Sequence, residues 1–310
     1  MKHAGTHEEP QAPKRKSMRL LLATAFCLTL FALNSILCRA ALVMWGMEPF
    51  HYTAARGLSA AVMLALLCAF HVVRGVPGRG SVWKQAWKES SWTGSLFLFL
   101  YMICFSLAYM TMPSAAGTLI INISVQFGMV GWGLAHGIRL SRLQWAGLAA
   151  AFGGLIALLS PGLTAPPLTG SLLMVVSGLA WGGYSICGRG AASASLATAG
   201  NFFRCAVAGI ITALAAAMLE GPAHPVAWAC AIGAGAVASA PGYVLWYVIV
   251  PRYSLTGSSI IQLSVPLITA ALAALLLNEP VTLRLVLCAV PILGGICLTL
   301  AAPKKKSEHS

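Results

Sequence analysis

Residues Ser114–Leu134 read SAAGTLIINISVQFGMVGWGL, and Leu255–Leu276 read LTGSSIIQLSVPLITAALAALL. Each is long enough to cross the hydrocarbon of a bilayer, which takes about 20 apolar residues, and neither carries a charged side chain. Crossing as a helix satisfies every backbone N–H and C=O internally, where no water can do so. Working outward, ten such runs fall at about 20–45, 52–73, 92–112, 115–136, 143–160, 169–187, 198–219, 226–250, 256–277 and 285–302. Turns lie between them where Gly, Pro and polar residues gather, as at Met47-Glu48-Pro49, Met112-Pro113-Ser114 and Asn278-Glu279-Pro280. The composition agrees. The 310 residues are 58% hydrophobic and 9% charged, whereas soluble domains carry roughly 25% charged residues. The expected fold is an all-α integral membrane protein of ten transmembrane helices.

The net charge of +13 raises nucleic acid as a partner, but its placement points to a bilayer. Sixteen of the 20 Lys and Arg lie in the terminal tails and in alternate connections, and the opposite connections hold only Arg284. That bias places both termini in the cytoplasm, which requires an even number of spans. No stripe of interleaved basic and aromatic residues exists for nucleic acid. The basic start before the first apolar run reads as an uncleaved first helix, because further spans follow it. The nine cysteines form no C-x-x-C pair and read as small buried hydrophobes.

The likeness between the opening segments extends along the chain at a separation of about 140 to 150 positions. Arg56 in TAARGLSAAV corresponds to Arg204 in NFFRCAVAGI. Five helices per half make the second half enter the membrane from the other side, so the halves form an inverted pair. Inverted repeats are a transporter device, offering two exchangeable conformations around a midplane site. The expected parts are a basic tail at 1–19, a first repeat at 20–160, a second at 169–302, and a basic tail at 303–310.

GLAWGGYSICGR (Gly178–Arg189), NFFR (Asn201–Arg204), IIQLSVPLITA (Ile260–Ala270) and LLLNEPVT (Leu275–Thr282), with FALNSILCRA (Phe31–Ala40) in the first half, resemble the drug/metabolite transporter superfamily, specifically its ten-helix EamA-type members. The resemblance covers nearly all of 20–302. It implies alternating access in a bacterial inner membrane and export of amino acids or other metabolites. The chain departs from the family pattern at Val125-Gln126, where many relatives carry a Pro, and at HGIRLSR, where they have a Gly-Glu turn. Both departures imply a first-half gate of different shape or flexibility.

Charge inside the bilayer is costly and marks function or a helix-end contact. Arg56 and Arg204, at matching positions, are read as gating or structural groups, open between carbonyl or snorkelling contacts and a substrate carboxylate. Pro266 interrupts its helix and frees a backbone carbonyl, as a hinge or as a passive kink. Arg39, late in the first helix, is expected to snorkel to the interface. The seven acidic residues are all Glu, in tails or connections. A proton-driven cation exporter, which relies on a membrane carboxylate, is therefore disfavoured. The neutral polar candidates for substrate binding are Asn34, Asn122, Gln126, Gln262 and Ser264, and the aromatic ones Tyr101, Trp181, Tyr184, Tyr243 and Trp246. Helix-helix bonding and interfacial belting are the competing readings.

No catalytic set, metal cluster or P-loop lysine is seen, so no cofactor is expected, and the chain is not read as an enzyme. The expected function is secondary transport of a small metabolite, with a proton or counter-substrate as candidate coupling partner. The alternatives are a drug or organic-cation exporter and a non-transporting sensor.

Overall fold

The structure, a computed structural model, describes residues 14–73, 82–137, 140–160, 162, 165–253, 261–262 and 264–301. Most of the two basic tails, and Arg74, Arg79 and Arg139 of the charge count, lie outside them.

Every regular element among the described residues is helical. α1 (Lys14–Arg39) continues through a π-helical turn, Ala40–Met44, and is followed by α2 (Pro49–Val73). α3 (Val82–Glu89) is short, and after it come α4 (Trp92–Tyr109), α5 (Ser114–Ala135) and α6 (Arg142–Leu159). α7 (Leu168–Gly188) and α8 (Ala194–Leu219) open the second half. α9 (Pro225–Gly233) and α10 (Ala240–Ile249) are one rod interrupted by a π-helical turn, Ala234–Ser239. α11 (Ser264–Leu276) and α12 (Leu283–Ala301) close it.

Among the described residues eight helical segments are long and apolar enough to cross a membrane, and Ser264–Leu276 and Leu283–Gly295 are shorter apolar helices. α3 falls where the sequence reading placed a connection. Its VWKQAWKE pattern puts Trp83 and Trp87, both half exposed, beside lysines, as an interfacial helix does.

Large apolar side chains cover the outside: Leu214, Met218 and Val290 are each at least 60% exposed, as lipid permits and water does not. Inside, α4 packs on α7, α5 on α7, α2 on α8, and α6 on α12, while α1 lies against α10 and α11. Close approach needs small residues. A Cβ at Gly178 of α7 would sit 2.5 Å from the Ile121 carbonyl oxygen and 2.5 Å from Ser124 Cβ of α5.

Helix ends are held by groups remote in sequence. We call the end of the bundle where α1 begins the near end and the end reached by Arg39 the far end. At the far end Glu220 accepts from the Phe50 and His51 N–H of α2, at 2.8 Å each. Glu279 accepts from the Ser114 N–H of α5 at 2.7 Å. At the near end Glu89 accepts from Ala192 N–H, just ahead of α8, at 2.9 Å. A free N-terminal turn leaves N–H groups unsatisfied, so these carboxylates both cap and tie. The four described glutamates, Glu48, Glu89, Glu220 and Glu279, lie at helix ends or connections.

Arg39 does not simply snorkel. Its Nε donates to Glu279 Oε1 at 2.8 Å, and Nη1 donates to the Tyr109 and Met110 carbonyls at 2.9 and 3.3 Å. The α11–α12 turn brings a carboxylate to the same helix end, and a planar guanidinium can serve carboxylate and carbonyls at once.

Candidate functional site

The middle of the bundle holds a cavity of about 40 Å³. That is room for roughly three waters, far below the several hundred Å³ that encloses a drug-sized ligand. Its walls come from α1, α4, α5, α7, α10 and the segment leading into α11.

Six residues singled out in the sequence line it: Asn34, Tyr101, Asn122, Trp181, Tyr243 and Gln262. Gln126, Tyr184 and Trp246 are buried beside it and do not line it. Ser264 is exposed on the surface of the bundle, and the wall is made instead by Gln262 and Val265 around it. Pro266 is buried in the first described turn of α11. Sequence reasoning did not assign Phe31, Ser35, Phe105, Thr118, Ile121, Val125 and Val265 to the site, although they line it. A signal existed, since Phe105 and Thr118 lie one helical turn from Tyr101 and Asn122.

The aromatic part of the wall is a mutual packing of rings. Trp181 lies 4.7 Å from Tyr243, 5.0 Å from Tyr101 and 5.5 Å from Phe31 between centroids, within the range where such pairs attract. Asn122 on the opposite wall turns its amide back to the Thr118 carbonyl at 2.7 Å.

Behind Tyr101 and Tyr243 sits Arg56, fully buried. It is the eighth residue of α2, about 10 Å along the helix from its start. Nε donates to Ser239 Oγ at 3.1 Å, and Nη2 donates to Tyr101 Oη at 3.0 Å and Tyr243 Oη at 2.6 Å. Tyr243 Oη donates to Tyr101 Oη at 3.1 Å. Asn34 Nδ2 donates to Ser239 Oγ at 3.1 Å and Tyr243 Oη at 3.4 Å. The guanidinium carbon also lies 5.0 Å from the Phe105 ring and 5.2 Å from the Tyr101 ring. Among the described residues Arg56 Nη1 and Asn34 Oδ1 are buried without a partner. A desolvated cation costs several kcal/mol unless paired, and no acidic side chain pairs with it among the described residues.

The backbone explains how Ser239 reaches this point. Pro241 cannot donate a ladder hydrogen bond, and the chain just before it widens into the π-helical turn that ends at Ser239. Such turns recur at functional sites. Gly235 in the same turn lets it lie against α2, since a Cβ there would collide with the Arg56 carbonyl and Ser59 Oγ.

Arg204, at the matching position of α8, has a different surrounding. Its Nη2 donates to the Trp87 carbonyl at 2.8 Å, and its charge sits 4.4 Å from the Trp87 ring and 5.1 Å from the Trp92 ring. It fastens the interfacial α3 to α8 at the near end and does not reach the cavity.

Fold and site thus define a multi-pass helical membrane protein with a small, donor-rich, aromatic-walled cavity at its centre. Residues 168–301 match the EamA-like transporter family. An uncharacterized protein of Pseudomonas aeruginosa is 39% identical over 286 residues, covering 91% of this chain and 95% of that protein. A solved crystal structure, 18% identical, superposes with a TM-score of 0.59 over 91% of this chain and 97% of the other, a likeness of fold. The chain belongs to the EamA-like transporter family.

Proposed function

We propose that this chain is a secondary transporter of the bacterial inner membrane that exports amino acids or related small metabolites by alternating access. The observation that carries this reading is the central cavity, walled by helices of both halves and framed by the buried Arg56 network. In this reading the two repeats, 20–160 and 169–302, form an inverted pair of five spans each, with both tails in the cytoplasm. Pairing of α2 with α8, α5 with α11 and α6 with α12 supports it, because each joins helices at corresponding places in the two halves. The contact of α4 on α7 has its counterpart in α10 on α1. Rocking of one repeat against the other would widen the cavity at alternate ends. Asn34, Asn122 and Gln262 are proposed as polar contacts to cargo, and Tyr101, Trp181 and Tyr243 as its aromatic wall. Gln126, Tyr184 and Trp246 back that wall, and Ser264 and Pro266 belong to the helix that would move.

The test is efflux. Purified protein in liposomes loaded with a mixed panel of amino acids and other metabolites is assayed by mass spectrometry, with imposed pH or voltage gradients. Saturable, selective loss of one class relative to protein-free liposomes is the expected result. No loss of any compound under any gradient sinks the reading. Export of organic cations is the weaker alternative, because a buried cation, Arg56, stands directly behind the cavity wall and no described carboxylate lines it.

A further inference from the structure

A count of donors and acceptors at the centre of the bundle does not balance. Tyr101 and Tyr243 hydroxyls together receive two bonds from Arg56 and one from Asn34, and share one with each other. Two hydroxyls own two protons, and the shared bond uses one. With the Asn34 amide oriented as a donor to Tyr243, whichever tyrosine gives it, one hydroxyl proton is left with no acceptor among the described residues. Arg56 Nη1 adds two more N–H groups that are buried and unmatched. Only Asn34 Oδ1 stands open on the acceptor side. The cluster carries a full positive charge, and its nearest aromatic faces stabilise that charge without accepting its hydrogen bonds.

We infer that the cavity takes the carboxylate of its cargo, held by the Tyr101–Tyr243 hydroxyl pair with Arg56 as the counter-charge. This rests on the transport reading above and narrows it: the acidic group, not the amine or the side chain, is the obligatory recognition element. A carboxylate supplies what the cluster lacks, which is negative charge and several acceptor sites in a plane that suits a guanidinium. The free volume, roughly three water-sized atoms, matches a carboxylate group, and the rest of a cargo molecule would enter as the helices part. The open Asn34 Oδ1 can receive an ammonium, so amino acids fit, but acids without an amine fit the same charge.

Binding and flux are measured separately, on the full chain. In detergent at constant chloride, thermal unfolding is followed with phenylalanine, 3-phenylpropionate, phenylalaninamide and 2-phenylethylamine, and with leucine, 4-methylvalerate and leucinamide. The same compounds are then loaded into proteoliposomes. Acids of at least one series are expected to stabilise the protein at concentrations at least tenfold below those at which their amides or amines do. An acid that stabilises without moving keeps the carboxylate site and sinks the transport reading. An amide or amine moved as fast as its acid overturns the carboxylate site and keeps transport. Stabilisation by no acid, or equally by added chloride or phosphate, also overturns it. Arg56→Gln should erase the acid-over-amide preference. Tyr101→Phe, which removes only a hydroxyl, should weaken acid binding several-fold with normal yield. A folded Arg56→Gln protein that still prefers acids contradicts the inference.

Discussion

At the residue scale, the far-end ion pair separates what a side chain costs from what it holds. Arg39 and Glu279 are each about one-sixth exposed, at 16%, and each has a second duty, Arg39 to two carbonyls and Glu279 to the first turn of α5. Glu279→Gln should cost about 1–3 kcal/mol, the range for breaking a charged hydrogen bond that is partly desolvated. Unfolding in detergent would show it, and a double-mutant cycle with Arg39→Gln would isolate the shared part. The polar wall makes a second comparison available. Gln262→Ala should raise the substrate concentration for half-maximal flux several-fold at normal yield, and Gln126→Ala, buried outside the lining, should leave it near the parent value. Equal effects would remove the distinction between wall and backing. Neither arrangement was legible along the chain. The Arg39–Glu279 pair joins positions 240 apart, and which of Gln262, Ser264 and Val265 faces inward depends on a helix rotation of about 100° per residue, which composition does not set.

At the element scale, apolar length was the readable quantity, because a helix that leaves water must be apolar over its whole crossing. The expected runs at 92–112, 115–136 and 169–187 differ from α4, α5 and α7 by a few residues at most. α3 escaped because eight residues of mixed Trp and Lys carry no spanning signal. Small-residue pairs such as Gly178 and Gly182 could be read as packing devices, and the contact of α7 with α5 gives them a location. Gly178→Val should force α5 and α7 apart and cost about 1–3 kcal/mol or more, as overpacking does, with loss of folded yield. Gly57→Ala is the control. A Cβ there meets only Met102 Cε at 3.7 Å, and a helical Gly to Ala change should be neutral or stabilising by up to about 1 kcal/mol.

At the scale of the whole molecule, the expected orientation rests on where Lys and Arg are placed, sixteen on one set of connections and tails against one on the other. A fluorescent protein fused to either terminus should therefore fluoresce in the cytoplasm, and a periplasmic reporter fused at either terminus should stay inactive. A split result would break the even count of spans. The EamA-like match covers 168–301, and the proposed kinship of the first half rests on the helix pairing and on the likeness in sequence around Arg56 and Arg204. Arg56 and Arg204 differ in what they hold. Arg56 bonds the tyrosines of the cavity wall, whereas Arg204 clasps Trp87.

The glutamates that cap remote helices also set a timetable. α2 is made before Glu220, the group that closes its first turn, which lies 170 residues later for Phe50. At about 5–20 residues per second, the ribosome delivers that carboxylate roughly 10–35 s after the helix end it serves. Ser114 waits a similar span for Glu279, 165 residues on. The first half of the chain thus spends its early life with two helix starts open to the interface. A truncated chain ending near residue 165 should be cleared by proteases, and the second half supplied as a separate polypeptide should rescue it.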